Sequence, residues 1–136
     1  MPKLFIHAPR DTFKAEGRLR AASALTELGI ECERLADTPA VRAGVWVFFV
    51  EHAPDAVFSG GRLAEAPLVA VEVYALQGGL NDTAKRKLIS DATSILKEHS
   101  ESGTEEVPVY VVIREIEEKS WGMYGKQVSL SALRPA

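Results

Sequence analysis

Pro2 follows the initiator methionine directly and is the chain's first candidate for chemistry. Loss of Met1 converts its nitrogen from an amide into a free secondary amine that can take up and return a proton. An α-amino group titrates at about 7.7–8.0, and desolvation lowers that value by disfavouring the charged form. Such an amine is a usable base near neutrality. The other reactive residue types are sparse. Cys32 is the only cysteine, so there is no disulfide framework and no thiolate metal site. His7, His52 and His99 lack ligand spacing such as HExxH. His7 falls inside a strand and reads as a satisfied structural histidine.

Composition narrows the class. The 136 residues suit one domain with a modest core. The net charge of −3 comes with no basic stripe, which argues against nucleic acid or a membrane surface as partner. Arg18/Arg20 and Lys85-Arg86-Lys87 fall on helices, where solvated faces account for them. The start has no charged segment leading into an apolar one, and no apolar run reaches membrane-spanning length. A cytoplasmic location is expected.

The elements that must hold Pro2 follow from periodicity. Leu4 to Ala8 predicts a buried strand. Asp11 or Thr12 is expected to cap a helix over Phe13 to Leu28, with Gly17 inside it and Gly29 as its C-cap. Residues 30–44 read as an irregular connection. Val45 to Val50 is the strongest strand signal, apolar on both alternating faces, which predicts cover on both sides. Val57-Phe58-Ser59-Gly60-Gly61 reads as a short hairpin arm. A second series follows: strand Leu68 to Tyr74, a break at Gly78-Gly79, a helix capped by Asn81 running to about His99, a polar loop over 100–106, and strand Val107 to Ile113. Val128 to Leu133 is expected to add an edge strand.

The order is β-α-β twice. Pro2 and Pro67 open the two series 65 positions apart, and Glu51 and Glu115 close their last strands 64 apart. Eleven residues span Glu51 to Gly61, and eleven span Glu115 to Gly125. This predicts one domain built from two β-α-β units, about 2–63 and 67–136.

On these residues the chain resembles the tautomerase superfamily, whose units begin with proline on a β-α-β scaffold. Glu115-Ile116 followed by Trp121-Gly122-Met123-Tyr124-Gly125 resembles the 4-oxalocrotonate tautomerase ending. The arm Val57 to Gly61 is similar to that of the cis-3-chloroacrylic acid dehalogenases, which are fused two-unit members. The resemblance implies an α+β fold with a four-stranded mixed sheet and two helices on one face. It implies a homotrimer, Pro2 as catalytic residue, and no cofactor. Pro67 matches the same position in the second unit, but its nitrogen is locked in a peptide bond. Arg10 is the nearest match to the family's carboxylate-binding arginine, displaced by about two positions. A second family arginine falls on Tyr110, and the aromatic wall of the pocket falls on Trp121. The loop Leu76-Gln77-Gly78-Gly79 lacks the dehalogenase's arginine pair, and Met123 stands where its water-activating acid would be.

The expected activity is therefore keto–enol tautomerisation of a small enol or 2-keto acid, with dehalogenation disfavoured. Arg10, Tyr110 and Trp121 are the expected substrate contacts. Two alternatives stand beside it: a trimeric binding protein that kept the fold without useful turnover, and a ferredoxin-like domain, which shares the β-α-β-β-α-β order. Strand order separates that last fold from the tautomerase arrangement.

Overall fold

The computed structural model describes residues 1–102 and 107–136. Four strands make the main sheet: β1 (Lys3–Pro9), β2 (Trp46–His52), β5 (Val69–Leu76) and β6 (Val109–Ile116). Their spatial order is β2-β1-β5-β6. β1 is parallel to β2 and β5 to β6, while β1 and β5 meet antiparallel at the centre. The parallel partners within each half are neighbours and are not interleaved. This is the tautomerase arrangement and excludes the ferredoxin-like one.

Alternation along the strands decides which side is core. Leu4, Ile6 and Ala8 of β1, with Val69, Val71 and Val73 of β5, are buried beneath two long helices. These are α1 (Ala15–Glu33) and α3 (Asp82–His99). The opposite face carries Lys3, Phe5 and His7 on β1, with Ala70, Glu72 and Tyr74 on β5, all half-buried. On the outer strands it shows Trp46, Phe48, Tyr110 and Val112 to solvent. The doubly apolar run at 45–50 is thus covered by helices on one side and open on the other within a single chain.

The helix boundaries correct the expectation in physical terms. Thr12 does not cap α1, because its hydroxyl donates to the Pro9 carbonyl at 2.7 Å. Asp11 turns the chain with φ 70°, and the helix starts after Lys14 without a side-chain cap. Gly29 is not a C-cap either. The helix runs through it to Glu33 and ends at Arg34 in the left-handed region. Glycine is required at 29 by contact: an added Cβ would sit 2.8 Å from Cγ of the Pro2 ring. Gly17 serves a similar purpose, since a Cβ there would lie 2.5 Å from the His99 carbonyl oxygen of α3. Asn81 does cap α3, accepting from the Ala84 N–H at 2.8 Å.

Residues 30–44 contain α2 (Pro39–Ala43), capped by Thr38. Two small hairpins follow the outer strands: β3 (Phe58–Ser59) with β4 (Arg62–Leu63), and β7 (Gly122–Met123) with β8 (Lys126–Gln127). The expected edge strand at 128–133 is not formed; residues 130–133 make a short helix, α4 (Leu130–Leu133). Of the polar loop at 100–106, residues 103–106 lie outside the described residues.

Gly29→Ala tests the contact beneath Pro2. Alanine gains up to about 1 kcal/mol of helix propensity, whereas overpacking costs about 1–3 kcal/mol. A net loss of stability is expected, read as a lower urea midpoint. A raised midpoint would show that the ring does not bear on α1.

Candidate active site

The start of β1 is enclosed. Met1 and Pro2 are both buried. The Pro2 carbonyl accepts from the Trp46 N–H at 3.3 Å, which continues the β1–β2 ladder to the terminus. The Pro2 ring lies against Gly29, while the acyl group on its nitrogen, the Met1 carbonyl, points toward Lys3. The Lys3 ammonium donates to that carbonyl at 3.3 Å and also to the Gly44 carbonyl. Oxygen and nitrogen of one amide are about 2.3 Å apart, so the ammonium stands within about 6 Å of the Pro2 nitrogen.

Lys3 opens onto a cavity of about 350 Å3 lined also by Phe5, Tyr74, Ile116 and Trp121. Aromatic rings shape it. Phe5 stacks on Phe48 at 5.0 Å and meets the edge of Tyr74 at 5.7 Å. The Lys3 nitrogen lies 4.9 Å from the Trp46 ring centre and 5.9 Å from that of Trp121, within the range of cation–π attraction. Trp121 is buried and fixed by backbone bonds to Glu118 and Val128.

Behind the terminus sits Glu33, 1% exposed. Neither of its carboxylate oxygens has a hydrogen-bond partner of regular geometry among the described residues. Glu33 is four residues beyond Gly29 and so lies on the same face of α1, one turn from the Pro2 contact. Burial pushes its carboxyl above the usual range, opposed by the terminal amine, the Leu76 backbone, Arg134 and Lys3. Arg134 ties this corner together, donating to the carbonyls of Glu33 at 3.1 Å and Gly79 at 2.9 Å. Burial also lowers the chain's terminal amine below its ordinary value, with Glu33 pulling the other way and Lys3 adding to the fall.

The structure brings Trp121 to the Pro2 end of the sheet, but not Arg10 or Tyr110. Arg10 is exposed at the far end of β1 beside another pocket. At about 3.3 Å per residue it lies roughly 26 Å from Pro2. Tyr110 is the second residue of β6 and lines a separate cavity with His7 and His52. Among the described residues, the cation beside the Pro2 amide is Lys3. Sequence reasoning missed it because a lysine that opens a strand reads as an edge charge. Glu33 carried a signal that could have been read: an acid in the last turn of a helix opposes the macrodipole and calls for another reason to be there.

Burial depresses the Lys3 ammonium to about 8 from 10.5, offset in part by Glu33. The unfolded chain therefore binds more protons than the folded one between about pH 8 and 10.5, and the Lys3 contribution to stability rises with pH across that window. In protein with 13C-dimethylated lysines, one resonance should titrate near pH 8 and vanish in Lys3→Met. Titration of Lys3 together with the surface lysines would show that its ammonium is solvated.

Residues 67–131 match the family model of the tautomerase enzymes. No curated protein matches the chain. Among solved structures the fold is similar to that of a native fused 4-OT, with TM-score 0.73 at 19% identity over 96% of this chain and 98% of that one. It is also similar to N1, a member of the cis-3-chloroacrylic acid dehalogenase family, with TM-score 0.71 at 23% identity over 93% and 83%. A macrophage migration inhibitory factor from Oncomelania hupensis gives TM-score 0.70 at 18% identity over 98% and 87%.

Proposed function

We propose that this chain, a fused member of the tautomerase superfamily, uses the Pro2 amine to move a proton between oxygen and carbon of a small enol or 2-keto acid. The observation that carries the reading is the Lys3 ammonium facing the Pro2 nitrogen at the mouth of an aromatic cavity. The Met1 carbonyl occupies the place that a substrate oxygen would take once Met1 has left. Neutral Pro2 removes the enol proton, the C=O forms, and the same proton returns to the neighbouring carbon. Lys3 meets the carboxylate or the developing oxyanion, the task for which Arg10 is too distant within one chain. Positioned charge and a positioned base each supply factors of about 10² or more. The loop after β5 offers no arginine pair and Met123 no carboxylate, so dehalogenation is disfavoured in this reading.

A second reading has its own observation. Met1 is only 9% exposed, and its thioether lies where a Cβ on Gly44 would be. A chain that retains Met1 has an acylated Pro2 and is a binding protein on the same fold. Intact mass separates the two. In the processed protein, Pro2→Ala should lower turnover of phenylenolpyruvate by at least tenfold, activity should rise with pH through the amine's titration, and a propiolate electrophile should label the N-terminal peptide. Retained Met1, or undiminished activity in processed Pro2→Ala protein, would sink the tautomerase mechanism.

Assembly belongs to the same reading. Two of the similar fused 4-OT structures are described as asymmetric trimers and one as a symmetric trimer. Here Trp46 and Phe48, 43% and 45% exposed, stand with Tyr110 and Val112 on the open sheet face. Burying such a patch is favourable by about 25 cal/mol per Å2 of apolar surface. Light scattering is expected to give three chains at micromolar concentration, and Phe48→Glu to shift the protein toward one. A wild type that remains monomeric would refute assembly through this face.

A further inference from the structure

A cavity of about 450 Å3 lies not at Pro2 but at the opposite end of the central strands, under the β3–β4 hairpin. It is the positional counterpart of the Lys3 cavity. Six of the seven residues lining that cavity have a partner 64 or 65 positions away lining this one. Lys3 corresponds to Leu68, Ile116 to His52, and Trp121 to Val57. A counterpart of Pro2 exists as Pro67, but its nitrogen is an amide. What this cavity has instead is a row of hydrogen-bonded side chains across the sheet face. Glu72 on β5 is 3.1 Å from His7 Nε2 on β1, and His7 Nδ1 is 3.0 Å from His52 Nε2 on β2. Arg114 on β6 pairs with the other Glu72 oxygen at 3.3 Å.

Donor–acceptor logic assigns the protons. A carboxylate only accepts, so His7 Nε2 carries the hydrogen; neutral His7 then accepts at Nδ1, so His52 Nε2 donates. That leaves the lone pair of His52 Nδ1 without a partner among the described residues. A base oriented by a second group, itself oriented by a third, is the arrangement of a proton-abstracting site. The three groups bond to one another and do not converge on a common point where a metal ion could sit. The remaining lining is apolar, from Ala8, Val57, Phe58, Leu68 and Ala70, apart from the neutral phenol of Tyr110, and among the described residues no lysine or arginine lines it. An ionised carboxylate would meet only Glu72. The site therefore suits a neutral ligand with one acidic O–H.

We propose that the cavity under the β3–β4 hairpin is a second proton-transfer site, in which His52, positioned by His7 and Glu72, acts on the neutral enol of a 1,3-dicarbonyl compound. His52 Nδ1 takes the enol O–H proton as the C=O forms, and the imidazolium returns that proton to the carbon between the carbonyls. One O–H bond breaks, one C–H bond forms, and nothing is oxidised. While His52 is protonated it keeps its Nε2–H bond to His7, and Glu72 on the far side of His7 stabilises its charge. The site needs no free amine and is independent of Met1 removal.

Acetylacetone enol is the probe. The full-length wild type should speed its ketonisation, followed by loss of enol absorbance. His52→Ala should lower that rate at least tenfold while leaving phenylenolpyruvate turnover within twofold. Lys3→Met should do the reverse, so failure at one site cannot be mistaken for failure at the other. Glu72→Gln should lower kcat on acetylacetone more than it changes KM, since it acts through His7. Side-chain 15N shifts of wild-type His52 should move on addition of acetylacetone, a readout that needs no folded variant. Absence of acceleration and of shift, or a His52→Ala protein with unchanged acetylacetone ketonisation, would overturn the proposal, as would equal loss on both substrates.

Discussion

The structure depends on one pairing, the antiparallel contact of β1 with β5 along Lys3–His7 and Ala70–Tyr74. Each of these strands also holds a parallel partner on its other side, so every long-range backbone bond of the sheet passes through this pair. Because the pair is antiparallel, the beginnings of the two strands lie at opposite ends of the sheet. Each outer strand then delivers its hairpin to the end where the other half's first strand begins. The cavity at Lys3 is closed by the hairpin following β6, and the cavity at Leu68 by the hairpin following β2. Two pockets of matching position thus arise from one backbone rule, before any side chain is chosen.

Side chains then separate the pockets. At Lys3 the protein holds a buried carboxylate, a chain terminus, an ammonium depressed to about 8 and the Arg134 guanidinium in one corner. Isolated burial of any of these charges would cost several kcal/mol. Packed around the same few ångströms of backbone, they offset one another. At Leu68 the charges are drawn out into a line instead, from Arg114 through Glu72 and His7 to His52. The first arrangement presents a cation to a ligand and the second a lone pair.

Much of the fold was legible from periodicity. The order of the elements along the chain, the Asn81 cap and the Val57–Gly61 arm follow from alternation and turn residues that act locally, whereas the spatial strand order followed from the family resemblance. The errors came where a distant contact overrode a local rule. Gly29 looks like a helix end, but the Pro2 ring is what demands a residue without Cβ there. Thr12 looks like a cap, but its hydroxyl is taken by Pro9. The site was harder to read. The family resemblance put Trp121 on the pocket wall, and in the structure it stands at the Pro2 end of the sheet. Arg10 and Tyr110 were the positions matched to the family's arginines, yet within one chain Arg10 stands at the far end of β1 from Pro2 and Tyr110 lines the other pocket. Lys3 and Glu33 act through burial and charge across the fold, which no window of neighbouring residues displays. His7 is satisfied at both nitrogens, as its place inside a strand suggested; its partners, 45 and 65 positions away, were not visible.

The burial of Met1 sets an order of events for the proposed base. A peptidase needs the first residue extended in its own cleft, and here that residue is 9% exposed, with its side chain against Gly44 and its carbonyl held by Lys3. Trimming must therefore win a race against closure of β1 onto β2, while the nascent chain is still short of Trp46 or has not yet paired with it. On the proposed reading, molecules that fold first keep their methionine. Expression rate and growth temperature then become determinants of how much of a preparation can carry a free amine, quite apart from how well it folds.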